Sequence, residues 1–332
     1  MEKQIEVNEI ENLGKKPSKL INPQAIATFA PFIGFVLVCV FFGIVTSGGI
    51  FTTSNLQSLS NQVIITALVA IGSVFTFGSG NLDMSLGGSL CISVVLGAMA
   101  AIPTRNMFVV FIVCVGSALF IGLFKGIFAA FVQAPFFIIT IVLGFVMSAV
   151  VLTIMGDTTT IQLEGITPPD FFQMTTINLI ALISFFIICL VLFNYTALGR
   201  KIKFLGGSLL ATKQTGIDVK KTKILSFLVA ALGIGIAAFL VLVRTQTAEN
   251  TTGATLGMDV MVALVLGGMP IMGGAHSKIS AGILGALTIT VLNSGLTIMG
   301  LPLEVIQTTR GIIFIVLILV TSLGFRNKLL PR

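Results

Sequence analysis

Residues 78–90 read GSGNLDMSLGGSL, a polar, glycine-rich break that carries Asp83 between two stretches apolar enough to lie in a bilayer. Read as a loop between helices, the break makes its neighbours two separate membrane helices. Outward from it the same grammar repeats, with apolar runs from near residue 25 to near residue 324 punctuated by short polar turns. The 332 residues are 55% hydrophobic and only 9% charged, with a mean hydropathy of +1.09. No soluble core needs that much apolar surface, and the chain reads as an all-α, polytopic integral membrane protein.

At about 20 apolar residues per crossing, about ten transmembrane helices are expected: 25–46, 57–77, 84–102, 107–132, 135–155, 175–195, 224–243, 258–272, 279–298 and 303–324. The third and eighth adjoin glycine-rich breaks, so either reads equally as a half-span or re-entrant segment. Residues 1–24 are expected as a cytoplasmic tail, 25–325 as one transmembrane domain with a cytoplasmic loop at 196–223, and 326–332 as a second cytoplasmic tail. The first apolar run exceeds the core of a cleaved signal peptide and reads as a span that stays.

The net charge of +7 is not spread evenly. If both termini are cytoplasmic, the inner segments collect Lys3, Lys15, Lys16, Lys19, then Arg200, Lys201, Lys203, Lys213, Lys220, Lys221, Lys223, then Lys278, Arg326, Lys328 and Arg332. The outer loops keep only Arg105 and Arg244. Positive charge accumulates on the cytoplasmic side of membrane proteins, which sets this orientation and argues against nucleic acid as the partner of a basic chain. The long outer loop 156–174 carries Asp157, Glu164 and Asp170, and its TPPD motif reads as extended or turn structure.

Nothing in the chain suggests catalysis, a metal or a cofactor. Cys39, Cys91, Cys114 and Cys189 lie far apart inside apolar runs and read as small buried hydrophobes. The nearest approach to a phosphate-binding loop, Gly268 to Gly273, is followed by Gly274-Ala275 where Lys and Ser or Thr are required. Nucleotide is therefore expected on another chain. A proton- or sodium-coupled carrier is the rival class, but the apolar segments supply only Lys125 and Arg310, with Asp83, Asp259 and Glu304 at edges, a thin set for an ion relay. The single histidine, His276, falls in an inner turn beside Lys278.

Residues 196–223, TALGRKIKFLGGSLLATKQTGIDVKKTK, form the largest polar segment between apolar runs. Ser208 suits a helix N-cap and Gly216 a stop, with a short helix between them that exposes Leu209 and Leu210. Such a turn in a basic loop suits a docking surface for a cytoplasmic protein; contact with anionic membrane lipid accounts only for the lysines.

Gly199-Arg200, Gly206-Gly207, Ala211 and Gly216-Ile217 in this order resemble the cytoplasmic loop of permease subunits of ABC importers for ribose and related monosaccharides. NLDMSLGGS, QAPFFIIT, VLGGMPIMGGAHSKISAGILGAL and IMGLPLEVIQTTRGIIFIVLIL resemble further segments of that family, in order, over roughly residues 30 to 325. Ser208, Thr212, Lys125 and Ala134 depart from its usual Asn, Ala, Asn and Pro. The resemblance implies a bacterial inner-membrane permease, no enzyme itself, that works with a cytoplasmic ATPase, a second permease subunit and an external sugar-binding protein. Its loop residues Gly199, Arg200, Gly206, Gly207, Ser208, Ala211, Gly216 and Ile217 would contact the ATPase. Related ABC permeases for nucleosides or branched-chain amino acids remain alternatives.

A hydroxyl-rich substrate needs neutral hydrogen-bonding groups, and Asn61, Gln62, Asn81, Gln133, Asn293, Gln307 and Thr308 are candidates within or beside the spans; as interhelical glue they would serve packing alone. Asp83 is expected to cap the third span, with a gate role together with Asn81 and Ser85 as the second reading. Lys125 sits about seven residues, or about 10 Å, from the inner end of its helix and is expected to snorkel. Gly267, Gly268, Pro270, Gly273 and Gly274 mark a backbone break that protein must cover or that must line water.

Overall fold

A computed structural model describes residues 23–132, 135–163 and 174–326. The expected tails at 1–24 and 326–332, together with Gln133, Ala134 and the TPPD motif, lie almost wholly outside these residues. The helices are α1 (Pro23–Val45), α2 (Thr53–Gly78), α3 (Leu86–Thr104), α4 (Met107–Phe131), α5 (Phe136–Met155), α6 (Thr175–Asn194), α7 (Ala197–Gly207), α8 (Leu209–Gln214), α9 (Val219–Thr245), α10 (Leu256–Leu266), α11 (Ser280–Ile298) and α12 (Leu303–Arg326). Among the described residues α2, α3, α4, α5, α6, α9 and α11 are long and apolar enough to cross a membrane. The protein is a multi-pass, helical membrane protein. Each of the ten expected stretches contains a helix, but α10 has only 11 residues, about 16 Å of rise, and falls short of a full crossing.

The centre of the bundle is the second half of α2. Every residue from 67 to 79 is buried, whereas 61–66 are mostly half-exposed. Around α2 pack α9, α11 and α6, and α9 runs along the full length of α4. Small residues make these approaches close: a Cβ on Gly126 would come within 3.0 Å of the Ile224 Cα, one on Gly235 within 2.7 Å of the Val115 Cα, and one on Gly72 within 3.0 Å of the Ala230 Cα. Backbones that near each other gain dispersion contacts that lipid tails cannot replace. The outer faces of α1, α4 and α5 remain apolar and uncovered, with Ile44, Phe120 and Phe145 each more than 70% exposed, as surfaces facing hydrocarbon must be.

One pairing was not foreseen. β1 (Thr160–Gln162) joins β2 (Thr247–Glu249) in an antiparallel two-stranded sheet, Ile161 opposite Ala248. The segment after α9 then folds back against α3, where the Cys91 thiol contacts the Glu249 and Asn250 carbonyls at 3.5 Å. This carries the chain part-way down the bundle before α10 starts, which is why α10 is short. After Leu266 the backbone is irregular up to Ser280, with Gly268, Gly273 and Gly274 at positive φ.

Candidate translocation site

Three groups of residues carry the functional reading. The first is a polar cavity of about 400 Å³ between α2, α10, α11 and α12. Asn55, Ser58, Gln62 and Thr66 enter from α2, recurring at helical spacing along one face for about 16 Å. Thr290, Asn293, Ser294 and Thr297 face them from α11 by the same periodicity. The charged members are Asp259 and Arg310, whose Oδ1 and Nη1 lie 3.1 Å apart. Thr255 donates its hydroxyl to Asp259 Oδ2 at 3.0 Å, and Arg310 Nε donates to Asn293 Oδ1 at 2.8 Å. The facing Oδ1 and Nη1 are sealed from solvent and make no aligned hydrogen bond, so charge rather than hydrogen bonding holds these two atoms together.

Of the candidates picked from sequence, Gln62 and Asn293 line this cavity; Asn61, Asn81 and Gln307 do not. Asn61 is one position round α2 from Gln62, about 100° away on a helix, and Gln307 is exposed on α12. The hydroxyl partners Thr66, Thr290 and Ser294 were missed. Their signal was present in the register, since each is a polar residue three or four positions from another on a largely apolar helix.

The second group is the break after α2. Asn81 donates to Ser79 Oγ at 2.8 Å and stays buried, so it ties the turn. Asp83 does not cap α3 through its side chain: the N-cap position belongs to Ser85, which makes no side-chain cap bond. Instead Asp83 Oδ1 accepts from the Ser85 N–H at 2.8 Å and the Ser85 hydroxyl at 2.6 Å, and Oδ2 accepts from Lys125 Nζ at 2.6 Å. Nor does Lys125 snorkel. It is 2% exposed, with further bonds to Ser85 Oγ at 3.3 Å and Ser89 Oγ at 3.0 Å. Gly122 and Gly126 press its face of α4 against α9, which leaves the ammonium no route to the surface, and the break supplies the acid that holds it.

The third group is the basic segment after α6. Residues 197–207, expected as loop, form a helix, with Leu198, Ile202 and Leu205 at helical spacing and Ile202 and Leu205 buried. Ser208 then caps α8, accepting from the Ala211 N–H at 3.3 Å, and Gly216 follows at φ +74°. Leu209 and Leu210 are exposed, while Ala211, on the same short helix, is exposed beside them. Asp218 caps α9, so that helix begins five residues before the expected 224. The Lys221 backbone N–H, assisted by the Lys221 charge, holds the Asp218 carboxyl below its usual range; burial beside Phe193 lowers Lys203.

Gly199 and Gly206 are structural in this segment. A Cβ on Gly199 would run into the Phe193 carbonyl, and one on Gly206 into the Gly78 carbonyl and the Gly274 nitrogen. Gly274 N–H donates to the Gly78 carbonyl at 3.0 Å. Glycines 78, 206 and 274 thus join the end of α2, the end of α7 and the α10–α11 connection at one point. Arg200, Gly207, Gly216 and Ile217 lie on the solvent side of this junction, exposed except for the half-buried Ile217.

A sequence model of the branched-chain amino acid transport system / permease component family matches residues 55–321, a region holding the cavity, the buried ion pair and the basic segment together. The chain belongs to that permease family. It is similar to the galactofuranose transporter permease protein of Escherichia coli K12, with 26% identity over 80% of this chain and 79% of the relative. Similar, too, are the ribose import permease protein of Bacillus subtilis 168, with 26% identity over 87% and 91% of the two chains, and the xylose transport system permease protein of Haemophilus influenzae Rd, with 24% over 83% and 91%. No solved structure matches. The family match spans every element that lines the permease cavity, from Asn55 on α2 to Arg310 on α12.

Proposed function

We propose that this chain is the membrane permease subunit of an ABC importer that conducts a monosaccharide. The observation that carries the reading is the cavity of about 400 Å³ lined by hydroxyl and amide groups and by the Asp259–Arg310 pair. A pentose or hexose presents donors and acceptors on every face, and neutral groups in register along α2 and α11 suit it. Weak contacts suit a conduit, because selectivity then belongs to an external binding protein. The ribose, xylose and galactofuranose permeases among the relatives support a sugar over other solutes.

In this reading both termini are cytoplasmic, the cavity opens toward the outer face of a bacterial inner membrane, and residues 196–223 meet a cytoplasmic ATPase that supplies the energy. A second permease subunit completes the path. Leu209, Leu210 and Arg200 are the exposed groups suited to the ATPase contact. The test is uptake in proteoliposomes holding the permease, its ATPase and its binding protein, with labelled ribose, xylose and galactose, and with leucine and a nucleoside as the competing classes. ATP-dependent uptake of a sugar supports the proposal; uptake of leucine or nucleoside alone overturns the substrate class. Accumulation by the isolated chain on a proton or sodium gradient would identify an ion-coupled carrier instead.

A further inference from the structure

A second polar cleft, of about 420 Å³, lies at the opposite end of the bundle from the Asn55 end of the cavity, between the last turn of α6, α7 and the start of α11. Its lining includes Lys203, His276, Ser277 and Lys278, and no carboxylate. Three features of this cleft want an anion. The first is the positive end of α11, a 19-residue helix whose N-cap position, Ile279, offers no side-chain cap; the Ala281 and Gly282 N–H groups donate to the Lys278 and Ile279 carbonyls, which leaves the Ser280 N–H to face the cleft. The second is Ser277, 2% exposed, whose hydroxyl has no hydrogen-bond partner among the described residues. A buried hydroxyl left unpaired is destabilising, and a ligand oxygen would satisfy it. The third is the pair of ammonium groups: Lys203, held over the Phe193 ring at 4.7 Å with one weak bond to Asn194 Oδ1 at 3.4 Å, and the exposed Lys278 across from it.

We infer that this cleft binds a phosphate group, through Lys203, Lys278, the Ser277 hydroxyl and the Ser280 amide at the start of α11. The tetrahedral oxygens of phosphate suit converging donors from a helix start, a hydroxyl and two lysines. Because the α6 wall of the cleft, Leu190 and Asn194, passes directly into the apolar face of that helix, the group can arrive on an anionic phospholipid as well as in solution. The inference does not require the sugar-import reading.

The experiment uses the full chain in nanodiscs. Native mass spectrometry counts retained phosphatidylglycerol against phosphatidylcholine for wild type, for Lys203→Met with Lys278→Gln, for Ser277→Ala, and for a control that removes the exposed charges Lys213→Gln and Lys221→Gln. Loss of two charge-assisted contacts should weaken phosphatidylglycerol retention by about tenfold or more in the cleft variant and leave the control at wild type. Competition by inorganic phosphate at millimolar concentration, in wild type alone, would assign the soluble source within the same site. Equal retention of phosphatidylglycerol by cleft variant and control, with no effect of phosphate on either, overturns the inference. So does loss of ATPase association in the cleft variant with lipid and phosphate binding unchanged, which would give the cleft to a protein carboxylate.

Discussion

Lys125 and Asp83, 42 positions apart in the chain, meet at 2.6 Å with both side chains sealed from solvent. The pair fastens the break after α2 to the last third of α4. Ser85 and Ser89 fill the remaining hydrogen-bonding capacity of the ammonium, so the two charges are compensated locally. Its role follows from what each partner would become alone, since an unpaired charge in a bilayer interior is far costlier than an absent one.

Lys125→Met should therefore destabilise the protein by about 3 to 5 kcal/mol, and Asp83→Asn by a similar amount, whereas the double change Asp83→Leu with Lys125→Met should recover most of the loss. Thermal unfolding in detergent, followed by the monodisperse fraction, measures all three. An Asp83→Asn protein as stable as wild type would return Asp83 to a simple turn-forming role, because asparagine still accepts from the Ser85 N–H.

Gly206 and Gly207 are adjacent but should respond differently. Alanine at Gly206 meets the Gly78 carbonyl and the Gly274 nitrogen, while alanine at Gly207 has nothing within 4 Å. Gly206→Ala should cost about 1 to 3 kcal/mol and Gly207→Ala almost nothing. Leu210→Ser, at a 71% exposed position away from this junction, probes the ATPase contact itself and should reduce complex recovery without changing the unfolding temperature.

In the cavity, Gln62→Ala and Thr290→Ala each remove a neutral hydrogen bond worth about 1 kcal/mol and should raise the half-saturating substrate level about fivefold in reconstituted uptake. Asn61→Ala, one residue away and outside the cavity, should transport as wild type. Equal effects of Asn61 and Gln62 would place the path elsewhere.

Asp218 gives a pH prediction. Its folded pKa lies below the ordinary value of 3.8, chiefly because it accepts from the Lys221 N–H. The cap is therefore fully formed above the unfolded value and is lost as pH falls through the lowered folded value. Protection of the Lys221 amide, measured by hydrogen exchange and corrected for the intrinsic rate, should decline only below about pH 4, and Asp218→Asn should retain the cap while removing the pH dependence.

Much of the architecture was legible because membrane helices announce themselves locally. An apolar run of sufficient length has few alternatives in a bilayer, so the helical stretches, the Ser208 cap and the Gly216 stop all follow from nearby residues. The α7 helix was hidden by its lysines, whose polarity masked the apolar stripe of Leu198, Ile202 and Leu205. The early start of α9 was hidden for the same reason, by Lys220, Lys221 and Lys223.

The chain by itself thus determined the class: a helical, multi-pass membrane protein whose motif order resembles sugar permeases. Only the tertiary structure decided which polar residues act together. Asp83 finds Lys125 and Asp259 finds Arg310 across helices that are distant in sequence. Capping and amphipathicity are set within a turn or two of backbone, but pairing between buried charges depends on how helices cross and where the chain dips between them. A lysine inside an apolar run looks the same from its neighbours whether it reaches for water or for an acid.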